Sequence, residues 1–404
     1  MKMYFKCGFY LGLGFLCNSV NTFYVKSNTL WSNTRKNYAV KHKIDVPLKT
    51  NSYPIYIGKQ LHVENRNLFR DHIQSNKVLI ITNDVVAPLH LQPLQESLSH
   101  DYTVYTIVLP DGEEEKQMTH IMNIIKKALH NGLDRNSVFI GLGGGVIGDM
   151  TGFAASIYMR GISYIQIPTT LMSMIDSSIG GKTGINHELG KNLMGTFHQP
   201  CCVMIDIDYL HSLPYREYVS GFSEMVKYGL IQNRSYLTWL ENNVMSLKSH
   251  NECVLYEAIY VSCLIKSNII AEDEYENGNR VFLNLGHTFG HALETCLGYG
   301  TLLHGEAISI GIMMSMDLSL QMNYIDKSDV NRIRSLFRTF GLPVSLHTKP
   351  NFNIYHMMQT MMLDKKNKDN ILYFILLTNS DENIIHTCDY DKVSLHYVIQ
   401  KYIS

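Results

Sequence analysis

The chain has 404 residues, 45% of them hydrophobic, enough for two domains of ordinary size and a substantial core. Its 35 Lys and Arg nearly cancel its 36 Asp and Glu, leaving a formal charge of -1. No overall field draws it to nucleic acid or an anionic membrane, which leaves a small molecule as the default partner.

The first segment, Met1 to Lys43, differs from the rest. Lys2 and Lys6 precede an apolar run, Gly8 to Cys17, which has the length of a signal-peptide core and is too short for the ~20 residues of a membrane span. Asn18 to Lys43 follows, basic and without an acidic residue, the composition of an organelle transit peptide. Together they resemble the two-part leaders that route proteins into plastids through the secretory system. A disordered tail with no targeting role is the alternative.

From Ile44 the pattern is that of a folded enzyme. Lys77 to Thr82, Thr103 to Leu109 and Ser137 to Leu142 are short apolar runs rich in β-branched residues, separated by helix-length stretches. That alternation predicts a parallel sheet. After Tyr215 long helical patterns take over, as in Glu224 to Leu240 and Val254 to Ala271, so a boundary is expected near Pro214. The division is therefore 1–43 leader, 44–214 α/β domain and 215–404 helical domain. The eight cysteines are scattered, and the adjacent Cys201 and Cys202 lack the two-residue gap of a metal or redox motif. They read as reduced thiols, mostly core filler.

A glycine cluster carries the first chemistry. Gly143 to Gly148 formally fits G-x-G-x-x-G between a strand and a helical stretch beginning at Asp149, where backbone amides can meet a pyrophosphate. The usual acidic residue ~20 positions on is absent, so a turn needed only for tight packing competes with this reading. Tyr158 to Asn192 then supplies Arg160, Asp176, Lys182, Lys191 and Asn192 at loop-like positions amid Gly, Ser and Thr. Such a mixture can hold phosphate and hydroxyls; the competing reading is a solvated loop.

His287 and His291 lie four apart, on one face of a helix, and His304 follows. With Glu224 from another helical segment they suit a catalytic zinc with an open coordination position. Spacing favours His287 and His291 as the ligand pair. It does not say which histidine serves instead as an acid/base.

GGGVIGDMTGF, YMRG, IPTTLMSMIDSSIGGKTGIN, Lys191-Asn192, FSEMVKYG, NLGHTFGHALE and LHGEA resemble, in order, the signature blocks of the 3-dehydroquinate synthase family. The resemblance runs from about Leu48 to the C-terminus. It implies an α/β N-terminal nucleotide-binding domain plus an all-α C-terminal metal-binding domain, and a homodimer. It also implies that Glu224, His287 and His304 hold zinc, with Co2+ as a possible substitute, and that His291 is the acid/base, against the spacing argument. NAD would contact Asn83, Glu113, Lys116, Gly144, Gly145, Val146, Asp149, Thr169, Thr170, Lys191 and Leu213. A sugar-phosphate substrate would be held by Arg160, Asp176, Lys182, Asn192, Lys227, Lys266, Arg280 and Asn284, with Lys365 favoured over Lys366 for a further contact. Ser212 departs from the family's common Thr but keeps a hydroxyl.

In this family NAD oxidises the C5 hydroxyl of 3-deoxy-D-arabino-heptulosonate 7-phosphate, the ketone acidifies C6–H and phosphate leaves. The hydride then returns and an aldol step closes the carbocycle. The rivals are another sugar-phosphate cyclase, a metal-dependent polyol dehydrogenase and a catalytically dead binding protein. Lys266, Arg280 and Asn284 favour a carboxylate-bearing substrate. The several phosphate-binding cations disfavour the dehydrogenase, and the complete ligand set disfavours a dead protein.

Overall fold

Seven strands form the main sheet: β1 (Val40–Val46), β2 (Tyr53–Gly58), β3 (Lys77–Asn83), β4 (Thr103–Leu109), β5 (Val138–Gly143), β6 (Tyr164–Pro168) and β9 (Cys202–Asp206), in spatial order β1-β2-β9-β6-β5-β3-β4. The computed structural model describes residues 40–362 except 65–66, 189 and 348–349, together with 371–379 and 383–403. The expected leader, apart from its last four positions (40–43), and Lys365 and Lys366 lie outside the described residues.

All strand pairs of this sheet are parallel except β1 with β2. Every residue of β5 is buried, as a strand covered by helices on both faces requires. The antiparallel edge corrects one expectation. β1 begins at Val40, and His42 and Lys43 pair with Ile57 and Tyr56, so the folded body starts before Ile44. The alternating exposure of VKHKIDV, polar side chains outward, hid this edge strand inside a basic run.

β7 (Lys182–His187) and β8 (Gly190–Phe197) form a separate antiparallel hairpin where the sequence suggested loops. The second half is largely helical, with helices Tyr215–Ile231, Arg234–Lys248, Glu252–Glu272, His287–Leu297 and His304–Gln321 around the site. The expected continuous helix Glu224 to Leu240 is interrupted, because the Asn233 side chain accepts from the Tyr236 amide and caps a new helix. This half is not purely α: β10 (Phe374–Leu377) and β11 (Ile384–Thr387) pair as a small hairpin, with the Phe374 ring stacked on Phe289 at 5.0 Å. The wholly buried run FILL is too short and too apolar to stand as a surface helix.

Glu252–Glu272 is long and apolar enough to cross a membrane, but most of it is packed inside the fold. One apolar core runs from β2 and β9 into these helices, and a second fills the opposite face of the sheet. The six described cysteines are all free thiols.

Candidate metal and cofactor site

The strand order places a crevice. From β3 the chain passes to β4 on one side and returns to β5 on the other, a reversal that opens a ligand site at the carboxyl ends of the strands. Asn83 ends β3 and Gly143 ends β5, while the Thr169 amide after β6 donates to the Gly143 carbonyl at 3.0 Å. Helix Gly145–Ile157 starts beside them, four residues before the position expected from sequence, with its first amides free of intrahelical partners. A Cβ on Gly144 would come within 3.2 Å of Thr170 Cγ2, and one on Gly145 within 2.9 Å of Ser177 Oγ. The turn is thus a cradle that larger side chains would fill, and it suits a pyrophosphate.

Polar groups surround this cradle. Buried Lys116 donates to Asp149 Oδ2 at 2.7 Å and to Asn192 Oδ1 at 2.5 Å, and lies 4.0 Å from Glu113. Burial pushes the Asp149 carboxyl up, with Lys116 opposing it. Asn83 donates to Asp111, whose carboxyl is raised by burial and by neighbouring Asp84. Thr170 bonds Ser173 at 2.8 Å, Val146 packs on the second core and Leu213 is half-buried beyond turn Ile207–His211. Asn192, expected beside substrate, contacts the cofactor-side Lys116. Lys191, expected at the cofactor, reaches Glu294 of the helical half at 3.1 Å.

The anion-binding candidates gather where residues 176–182 meet three helical segments. Lys266 donates to both the backbone oxygen and Oδ1 of Asp176 at 2.6 Å, and Tyr228 adds a bond at 2.8 Å. Burial alone would raise the Asp176 carboxyl, but Lys266 and Lys227 outweigh it and hold it well below the usual range. Burial lowers the Lys266 ammonium, and Asp176 opposes that shift. Arg280 is 1% exposed and donates to the Gly180 carbonyl at 2.9 Å and to that of Glu274; its Nε is buried without a partner. Lys182 and Asn284 converge on Glu276 at 2.5 and 2.7 Å. Arg160 stands apart: it is exposed, with φ 69, after the turn that ends helix Gly145–Ile157.

Glu224, His287 and His304 present ligand atoms all within 4.8 Å of one another. Glu224 lies mid-helix with no exposed surface; Lys227 one turn on pairs with its Oε2, while its Oε1 accepts no hydrogen bond. A buried carboxylate in that state is costly unless a cation completes it. His287 Nδ1 lies 3.2 Å from the Leu285 carbonyl and donates to it, turning Nε2 towards Glu224 Oε1 at 3.9 Å. Burial pushes the Glu224 carboxyl up, opposed by Lys227. His291 is 5.2 Å from His287 between ring centroids and converges with His304 and Glu294 in a second, overlapping group. The donor set, two imidazoles and a carboxylate, fits zinc.

Three acidic residues were missed in the sequence reading. Asp111 and Glu276 sit in acid-rich loops that gave no spacing signal. Glu294 was findable, since it follows His291 by three positions and shares its helix face.

Sequence profiles described as 3-dehydroquinate synthase N-terminal and 3-dehydroquinate synthase C-terminal match residues 106–220 and 221–367. A chloroplastic 3-dehydroquinate synthase of Arabidopsis thaliana is 45% identical over 363 residues, covering 89% of this chain and 81% of that protein. The 3-dehydroquinate synthase of Shewanella loihica is 47% identical over 324 residues, covering 80% of this chain and 90% of that protein. Among solved structures, 2-epi-5-epi-valiolone synthase from Streptomyces hygroscopicus, with NAD+ and Zn2+ bound, superposes with a TM-score of 0.80 at 25% identity, covering 88% of this chain and 98% of its own. The switch-point crevice, the converging metal donors and these two profiles lead to one assignment: the chain belongs to the 3-dehydroquinate synthase family.

Proposed function

We propose that the chain is a phosphate-eliminating lyase that converts 3-deoxy-D-arabino-heptulosonate 7-phosphate into 3-dehydroquinate and phosphate, the second step of the shikimate pathway. The observation that carries the reading is Glu224, fully buried beside Lys227, with its Oε1 lacking a hydrogen bond and converging with His287 and His304. When bound, NAD supplies a hydride acceptor and donor, and zinc supplies Lewis acidity at the C5 oxygen.

This chain's residues do the rest. Asn83, Glu113, Lys116, Asp149, Thr169, Thr170, Lys191 and Leu213 shape the cofactor crevice, with Gly144, Gly145 and Val146 opening it to the pyrophosphate. Glu224, His287 and His304 hold the metal. Lys266 and Arg280 balance the substrate carboxylate, while Lys182, Lys227 and Arg160 supply charge for phosphate. Asp176, Asn192, Asn284 and Lys365 orient the sugar hydroxyls. His291 moves the proton of the C5 hydroxyl. The sheet-bearing half, 40–214, serves the nucleotide and the helical half, 215–404, the metal and substrate.

We also infer plastid import through the leader, in keeping with the chloroplastic Arabidopsis relative. A polyol dehydrogenase has no use for so many cations around Asp176. Incubation of the purified protein with the heptulosonate phosphate, NAD and zinc tests the reading. Equal amounts of phosphate and dehydroquinate are expected; an intact substrate contradicts it.

A further inference from the structure

Glu294 has no role in the reading above, yet it stands at the junction of the two halves. It lies on helix His287–Leu297, one turn after His291, and is 5% exposed. Its Oε1 is 3.5 Å from His304 Nδ1 and 3.1 Å from Lys191 Nζ, and its Oε2 is buried without a hydrogen-bond partner.

Two observations set its task. The first is the contrast between the two histidines: His287 rests its Nδ1 on the Leu285 carbonyl, and the group facing Nδ1 of His304 is Glu294. A ring N–H directed at a carboxylate fixes the tautomer, leaves Nε2 as the metal donor and raises its basicity. The second is Lys191, which comes from β8 on the sheet side. Its ammonium lies between Glu294 and Glu113, 3.8 Å from the latter, so one run of charges leads from the cofactor crevice to His304.

We propose that Glu294 is a positioning residue that orients His304 for the metal and, through Lys191, couples metal occupancy to cofactor binding. This rests on the assignment of His304 as a ligand and Lys191 as a cofactor contact. Coupling of this kind is reciprocal: if NAD tightens zinc, zinc tightens NAD by the same factor.

The test measures zinc affinity of the full chain by competition with a chromophoric chelator, with and without NAD, for wild type, Glu294→Gln, Glu294→Asp and Glu294→Ala. Circular dichroism and melting of each metal-free variant confirm folding, and Glu294→Gln, nearly isosteric, serves if Glu294→Ala fails to fold. Zinc affinity should fall about 10–100-fold in Glu294→Ala, the usual cost of losing a carboxylate behind a ligating histidine. Glu294→Asp should recover part of it. NAD should change zinc affinity in wild type and do so much less in Glu294→Ala and Glu294→Gln. Unchanged zinc affinity, no NAD effect in wild type, or an NAD effect undiminished in the variants overturns the proposal. Zinc lost as fully as from His304→Ala would make Glu294 itself a ligand and overturns it too. No step requires turnover, so a chain acting on another sugar phosphate would still answer the question.

Discussion

The histidines separate by the groups they join. His287 and His304 converge with the buried Glu224 carboxylate, whereas His291 lies outside that set and meets only the second one, with Glu294 and His304. Replacing His287 or His304 with Ala should lower bound zinc together with activity, because a three-donor site loses much of its affinity with any one donor. His291→Ala should keep zinc near stoichiometric while turnover falls by roughly 10²–10⁴, the usual contribution of a positioned acid/base. Elemental analysis after dialysis against a weak chelator decides this, and zinc lost from His291→Ala but kept by His304→Ala would restore the four-apart pair. A second expectation concerns Asp176, the partner of buried Lys266. Asp176→Ala strands that ammonium and should cost about 3–5 kcal/mol, read as a lower denaturant midpoint. At this scale the sequence showed candidate types but not pairings. The four-apart spacing of His287 and His291 was visible and Glu224, 63 positions before His287, was a candidate donor, but only the resemblance chose His304 over His291 as its partner. Spacing gave no hint that Lys191 would lean towards Glu294 or Asn192 towards Lys116, because both depend on how β8 lies across the two halves.

Elements carry their own expectations. Asp206 ends β9, where its Oδ2 accepts the Leu61 amide at 2.9 Å and its Oδ1 the Asp208 amide at 3.1 Å. Burial pushes its carboxyl up to about 6. A folded-state value above the unfolded ~3.9 means that the native protein holds this proton more tightly, so stability from this group is fully present below about pH 4 and is lost as pH rises through about 6. Asp206→Asn should remove that slope, worth up to about 2–3 kcal/mol for a two-unit shift. Melting temperatures of both proteins at about pH 5 and pH 7 check the sign: wild type should lose ground to the variant at the higher pH. At the glycine turn, Gly144→Ala should leave the fold intact and weaken NAD, since its methyl presses on Thr170 beside the cradle. Equilibrium binding of NAD measures it, and unaltered affinity would remove this turn from the cofactor site. The buried parallel strands were legible because β3 and β5 are short, buried, mainly apolar runs. Hairpin β7–β8 was not, since KTGINH and GKNLMGTF mix glycine with polar residues and expose much of one face.

For the whole molecule, the alternation of strands followed by helices disclosed the architecture, because each half repeats one period over many residues. The start of the body was misjudged by a few positions, since an edge strand carrying Lys41 and Lys43 outward has the composition of a basic leader. A protein truncated to begin at Asn37 should therefore be soluble and fully active, whereas one beginning at Val46 loses β1 and should unfold more readily. Fusion of residues 1–39 to a fluorescent protein should direct it to a plastid; diffuse cytosolic signal would contradict the import reading. In the proposed reaction a single site both takes and returns the hydride while phosphate leaves. The direct measurement follows NADH absorbance and dehydroquinate together, with NAD far below the substrate concentration. The account expects many product molecules per NAD and no net NADH. One NADH accumulating per substrate consumed would contradict it and identify a dehydrogenase.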